Sequence, residues 1–171
     1  MINAYLASES DLDDHVIHLL FSANRWEKAR EMREKLSSGL TLVVDRYAVS
    51  GVAFSAAKGL PDMNLEWCKA PDVGLPAPDA VLYLDVSPEV AAARGGYGQE
   101  RYEKEAFQQE VRRCYQDLRG EVPQGTWHVV DAGRSVDEVH DQVLKITEAT
   151  VQSCAQGKGL VNLWGSSVVS A

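Results

Sequence analysis

The chain contains no G-x-x-x-x-G-K-[ST] motif, the glycine-rich cradle that wraps nucleotide phosphates. Its single Gly-Lys pair, Gly157-Lys158, is followed by Gly159, and no glycine precedes Gly157 by five positions. A strand-borne G-x-G-x-x-G, a G-x-S-x-G elbow and an H-E-x-x-H pair are also missing, which removes the usual dinucleotide, hydrolase and zinc-protease signatures. Cysteine is scarce: Cys68, Cys114 and Cys154 are odd in number and far apart. That excludes a disulfide framework or a Cys/His zinc spacing, and free thiols in a reducing compartment are expected. No apolar run approaches the roughly 20 residues of a membrane span. The N-terminus lacks the basic, apolar, small-residue order of a secretory signal. Basic residues are outnumbered, giving a net charge of −8. Nonspecific nucleic-acid binding, which rests on phosphate neutralisation, is therefore not expected. A phosphorylated small ligand stays open, because it needs only a few well-placed arginines. The expectation is a cytoplasmic protein, with nuclear or mitochondrial pools open, and no membrane or nucleic-acid partner.

What is present reads as alternating helices and short apolar strands. Met1 to Leu6 reads as part of a helix. Leu12, Val16, Leu19, Leu20, Ala23 and Trp26 recur at helical spacing and predict a helix to about Leu36, capped by Ser10 or Asp11 and ended by Gly39. Leu40 to Val44 predicts a buried strand ending at Asp45. Ser50 to Cys68 predicts helix broken around Lys58 to Pro61, and Pro71, Pro76 and Pro78 force a loop. Ala80 to Leu84 is a second expected strand, ending at Asp85. Ser87-Pro88-Glu89 opens a helix with a cap, an early proline and an acid. Glu103 to Leu118 predicts helix, and Thr126 to Val130 a third strand ending at Asp131. Ser135 to Glu138 forms a capping box for a last helix. Strands separated by helices imply a parallel sheet, with ligands beyond the strands' carboxyl ends.

That edge carries the chemistry. Asp45-Arg46-Tyr47 follows the first expected strand, where an aspartate can order magnesium or its waters and an arginine can grip phosphate; a surface ion pair is the plain alternative. The aspartates ending all three strands put acid along one edge, though each could be a turn-former. Phe21 and Arg25, four apart, share a helix face and could stack a flat base and read its edge. An aromatic core residue beside a surface arginine fits the same spacing. Gly95-Gly96-Tyr97-Gly98, flanked by Arg94 and Arg101, suggests a lid over a nucleotide. His15 and His18 could share a metal, but read as ordinary helix histidines.

Taken together, these segments resemble the thymidylate kinase family, eukaryotic type. Leu20 to Glu27 resembles the thymine-binding helix, Val44 to Phe54 the DR[YH] segment, Pro71 to Asp79 the proline-rich connector, and Arg94 to Glu103 the lid. The likeness runs from about Tyr5 to Trp164. It implies a P-loop nucleoside monophosphate kinase-like α/β fold, a parallel sheet flanked by helices, over residues 1–164, with a lid at about 94–102 and a flexible tail at 165–171. It implies transfer of the ATP γ-phosphate to dTMP, with Mg2+, in a homodimer.

The resemblance also implies roles for the matching positions. Phe21 would stack on thymine and Arg25 would hydrogen-bond its carbonyl edge. Arg46 would hold the dTMP phosphate, and Asp45 would organise magnesium, water and sugar beside it; these two form the catalytic pair. Ser50, Gly51 and Phe54 would line the deoxynucleotide pocket, closed by Tyr102 and Gln108. Arg94, Arg101 and the Asp131-Ala132-Gly133-Arg134 turn would face the ATP side. The family's N-terminal P-loop strand and helix have no counterpart here, so the expectation is an N-terminally truncated member, poorly stable and weakly active or inactive alone. Two alternatives stand beside it: a non-catalytic nucleotide-binding or dimerising remnant, and a kinase for another nucleoside monophosphate.

Overall fold

The computed structural model describes residues 2–6, 11–94 and 105–165. Most of the glycine-rich lid, with Arg101 and Tyr102, the candidate cap Ser10 and residues 166–171 of the tail lie outside the described residues.

A short helix, α1 (Ile2–Leu6), leads to the long α2 (Asp14–Ser37). The cap of α2 is Asp13, not Ser10 or Asp11: its carboxylate accepts from the backbone N–H groups of His15 and Val16. The apolar spacing that predicts the helix does not mark its packed face: Val16, Leu19 and Trp26 are exposed, while Ile17, His18, Ser22 and Ala29 are buried. After α2 the chain turns at Gly39, whose φ of +84° suits glycine.

Leu40 to Val44 is not the buried strand its composition predicts. The segment pairs with no strand among the described residues, and Val43 is 92% exposed. A β-branched apolar run is buried only when neighbouring elements cover it, and within this run only Leu42 is partly buried.

The sheet of the described residues is a parallel pair, β1 (Val81–Asp85) and β2 (Trp127–Asp131). Each strand sits one position later than the sequence predicts and takes in its terminal aspartate. The register pairs Val81 with Trp127 and Asp85 with Asp131, so the two acids stand side by side at the carboxyl edge. The remaining helices are α3 (Ala48–Ala56), α4 (Leu65–Lys69), α5 (Pro88–Ala93), α6 (Glu105–Leu118) and α7 (Val136–Ala155). Ser87 caps α5 and Ser135 caps α7 in a complete capping box, both as the sequence predicts.

The core forms where α3 meets α4 and α6. Val52 and Ala53 of α3, Cys68 of α4, Leu118 of α6 and Leu75 of the connector are fully buried. A triangle of Tyr83, Tyr115 and Trp127 rings, with centroids 5.0, 5.6 and 6.2 Å apart, fastens α6 to one face of the sheet. The connector is clamped by the C-terminal segment: Leu163 N–H donates to the Leu75 carbonyl, Ala77 N–H to Val161 and Gly74 N–H to Leu163. Arg33 of α2 donates to the Gly74 carbonyl and to Asn162.

His18 ties α2 to α3 and α4 from inside the core. It is 1% exposed, with Nε2 2.9 Å from the Cys68 carbonyl and Nδ1 2.8 Å from Ser55 Oγ. A carbonyl can only accept, so Nε2 carries the proton and Nδ1 accepts from Ser55. Burial holds the imidazole below its ordinary value of 6.5, the nearby Arg25 charge adding to the effect. The unfolded chain therefore binds a proton that the folded chain refuses. Stability should be complete above the unfolded value of 6.5 and should fall as pH drops from there toward the lower folded value. Urea unfolding midpoints followed from about pH 7.5 to about pH 5.5 should decline for the natural sequence and should flatten in His18→Gln, whose overall midpoint is lower.

Candidate active site

The residues singled out from the sequence fall into two neighbourhoods. The first lies where α2, the turn before α3 and the connector converge. Ser22 is buried on α2, and Arg25 sits one turn later on the same side, facing the connector. Its Nε lies 3.1 Å from Oδ1 of Asp72 and its Nη2 2.6 Å from Oδ2, a bidentate pair. The Asp72 side chain is 0% exposed and that of Arg25 11%. Ser22 Oγ lies 2.7 Å from Asp72 Oδ1 and 3.0 Å from the Pro71 carbonyl, so its proton serves the same junction. Trp26 donates its indole N–H to that carbonyl as well.

Arg25 is thus not the solvated arginine that spacing alone allows. A buried carboxylate neutralises its charge and takes one edge of the guanidinium. The other edge closes over α3: a Cβ built on Gly51 would lie 2.9 Å from Arg25 Nη1. Gly51 is therefore glycine for reasons of space, since its backbone is ordinary helix. Phe21 stands on α2 four positions before Arg25 and is half-buried.

Arg46 is held differently. Its φ is +60°, the left-handed region that a side chain with a Cβ rarely adopts. Such strain costs about 1–3 kcal/mol and persists where surrounding structure fixes it. Here the turn sends Tyr47 inward, where burial, and next the Asp72 charge, push its phenol up to about 12. Arg46 points outward and lies over the Phe54 ring, its Cζ 5.1 Å from the centroid. It forms no ion pair among the described residues. Asp45 beside it is exposed and likewise unpaired among them. No side chain caps α3, which starts two residues beyond Arg46. Phe54 also meets the Phe107 ring at 6.1 Å, which brings in α6 and its Gln108. Ser50 is hydrogen-bonded to Tyr115, whose phenol burial pushes up while that bond pulls it down.

The second neighbourhood lies at the ends of β1 and β2. Arg94 donates to the Ala132 carbonyl, and Arg134 Nε lies 3.1 Å from Asp131 Oδ2. Asp131 also accepts from the Gly133 N–H, so it is a turn-former. Asp85 pairs with Arg112 of α6 at 2.5 Å. The acidic edge that the three terminal aspartates suggest is therefore largely neutralised, and of the three only Asp45 has no ion pair among the described residues. No cluster of three metal-ligating side chains occurs among the described residues. Asp45 fits a magnesium ion approached through water and nucleotide oxygens, not a cage built from protein.

A thymidylate kinase family model matches residues 1–143. The chain belongs to the thymidylate kinase family. It is 55% identical over 166 residues to thymidylate kinase of Arabidopsis thaliana, covering 97% of this chain and 60% of that protein. It is 49% identical to the Danio rerio and 48% identical to the Homo sapiens thymidylate kinase, covering 96% of this chain and 76% of each relative. A solved thymidylate kinase structure from Candida albicans superposes with a TM-score of 0.82 at 32% identity, covering 95% of this chain and 79% of that one. The α/β class and the helix-flanked parallel sheet expected for the family are the ones found.

Within this thymidylate kinase fold, Arg25, Arg46, Gly51 and Phe54 come together, with Ser50 and Gln108 on the flanking helices. Arg94 and Arg134 each bond the turn that follows β2, through the Ala132 carbonyl and Asp131. Sequence reasoning missed Asp72 and Ser22 as site residues. Both stand inside segments that carry the family resemblance, but no local spacing links an α2 arginine to an aspartate 47 positions later. Because Arg25 is pinned, Gly51→Ala should cost about 1–3 kcal/mol through overpacking. In an Arg25→Ala background the same change should cost nothing, since alanine favours helix. Denaturant midpoints of the two pairs check this.

Proposed function

We propose that this chain binds dTMP between α2, the Arg46 turn and α3, and that it serves transfer of the ATP γ-phosphate to dTMP. The observation that carries the reading is the contrast between the two arginines. Arg25 is charge-neutralised by Asp72 and suits a neutral carbonyl on a base edge. Arg46 carries its charge unpaired among the described residues, beside an uncapped helix start, and suits a phosphate. Phe21 would stack on thymine, and Ser50, Gly51 and Phe54 would leave little room beside the sugar and base. Tyr102 and Gln108 would close that side.

Asp45 would order magnesium through water and the sugar beside it. Bound magnesium neutralises charge on the transferred phosphoryl group. The protein's own part is positioning: Arg46 holds the acceptor phosphate, and Arg94, Arg101 and the Arg134 turn face the ATP side. Residues 1–164 would act as one domain, with residues 94–102 serving as its nucleotide lid. A second copy of the chain is the proposed protein partner, supported by Val16 and Leu19, which α2 leaves exposed. The proposed compartment is the cytoplasm.

Because no G-x-x-x-x-G-K-[ST] occurs in these 171 residues, the polypeptide acting alone is proposed to be weakly active or inactive. The same observation favours a second reading, a nucleotide-binding or dimerising remnant. Steady-state assay with ATP and dTMP separates them from a full enzyme. A rate in the ordinary kinase range of about 1–100 per second would overturn the low-activity proposal. Binding is tested apart from turnover. Arg46→Ala should weaken dTMP about 10- to 100-fold by calorimetry, the loss expected for a charge-assisted hydrogen bond. A natural chain that fails to bind dTMP sinks the reading itself.

A further inference from the structure

The buried junction under Arg25 does more than fasten α2 to the connector. A guanidinium offers N–H groups along two edges and a full positive charge. Asp72 takes the Nε–Nη2 edge with both carboxylate oxygens, at 3.1 and 2.6 Å, from a position 0% exposed. Ser22 supports Asp72 Oδ1 at 2.7 Å, and the Pro71 carbonyl beside it is held by Trp26. What remains is the Nη1 end, which lies over Gly51, where any side chain would collide with it. The guanidinium is therefore held by Asp72 along one edge and backed by α3 at Gly51, and its Nη1 end has no partner among the described residues.

We infer that Asp72, braced by Ser22, is a positioning residue that sets base selectivity. It cancels the charge of Arg25 and aims the Nη1 end at a carbonyl acceptor, so that a base with an amino group at that place is rejected. This inference rests on the proposal that Arg25 reads the base edge of dTMP. The chemistry is simple. Thymine presents an acceptor oxygen where cytosine presents an N–H donor. A donor held in place against another donor leaves both unpaired, which discriminates far better than shape does. An arginine free to swing could turn away from the amino group or seek the phosphate instead. Neutralised and pinned, it can do neither. Selectivity thus depends on a residue that need not touch the nucleotide.

The test is calorimetry of the full chain with dTMP, dCMP and thymidine. The natural sequence should prefer dTMP over dCMP by on the order of 100-fold. Asp72→Asn, which keeps the shape but not the charge, should reduce that preference by about 10-fold or more. Ser22→Ala should reduce it less, about 3-fold. In both variants the gain in affinity from thymidine to dTMP, which reports the phosphate contact, should stay at its natural value. Circular dichroism verifies the fold, and if Asp72→Asn does not fold, Ser22→Ala decides alone. Folded variants that keep the full dTMP preference overturn the positioning role while leaving the dTMP reading intact. Variants that lose base preference and phosphate gain together also overturn it, because that is general loosening. A natural chain that binds both nucleotides equally removes the base-reading role of Arg25, and the inference with it.

Discussion

The ion pair between Arg25 and Asp72 joins parts of the chain that otherwise share no strand and no helix. Removing two charges from water is costly, and a buried pair is tolerable only when geometry and extra hydrogen bonds compensate. Both conditions are met: the contact is bidentate, and Ser22 supplies a further donor to the carboxylate. Breaking such a pair by losing one partner leaves a buried charge, at a typical cost of about 3–5 kcal/mol. The α2–connector junction therefore tolerates little variation on either side. Gly51 inherits the constraint through space, and Tyr47 feels it through charge, since the Asp72 carboxylate helps to hold its phenol protonated.

Arg46 represents the opposite solution to placing a cation. It is not buried or paired, but set in a left-handed backbone conformation at the entrance to α3 and steadied by the face of Phe54. Strain and exposure leave its charge available. Two arginines within one small region thus differ in charge by their surroundings alone, one neutralised by Asp72 and one left unpaired among the described residues. The aromatic and helical scaffold explains why both stay put. Phe54, Phe107 and the Tyr83–Tyr115–Trp127 triangle lock α3 and α6 to each other and to the sheet.

Local signals in the sequence carried much of this. The capping box at Ser135, the Ser87-Pro88 helix start and the strands ending at Asp85 and Asp131 are all written in a few adjacent residues, and each appears in the fold. The closeness of Arg46, Gly51 and Phe54 was legible because one short segment holds them all. Where the decisive contact is long-range, the sequence is silent. Nothing near Arg25 announces Asp72, and nothing near His18 announces Ser55 and the Cys68 carbonyl. The run from Leu40 to Val44 misleads for the same reason: its composition records a preference for burial, and only neighbours elsewhere in the chain can satisfy it. The terminal aspartates mislead in another way, since Arg112 and Arg134 absorb two of them.

The clamp on the connector has a temporal side. Asp72 is held in place by a segment whose backbone is secured by Val161 and Leu163, near the end of the described chain. During synthesis α2 and the connector emerge long before those residues do. The Arg25–Asp72 corner must therefore wait for Val161 and Leu163 to leave the ribosome before the connector beneath it can be clamped. Contacts that close such long loops are slow to form. Until then, Arg25 and Asp72 are charged groups on a chain still free to keep them hydrated. The junction that most restricts this fold is thus sealed only after residues far along the chain have been made.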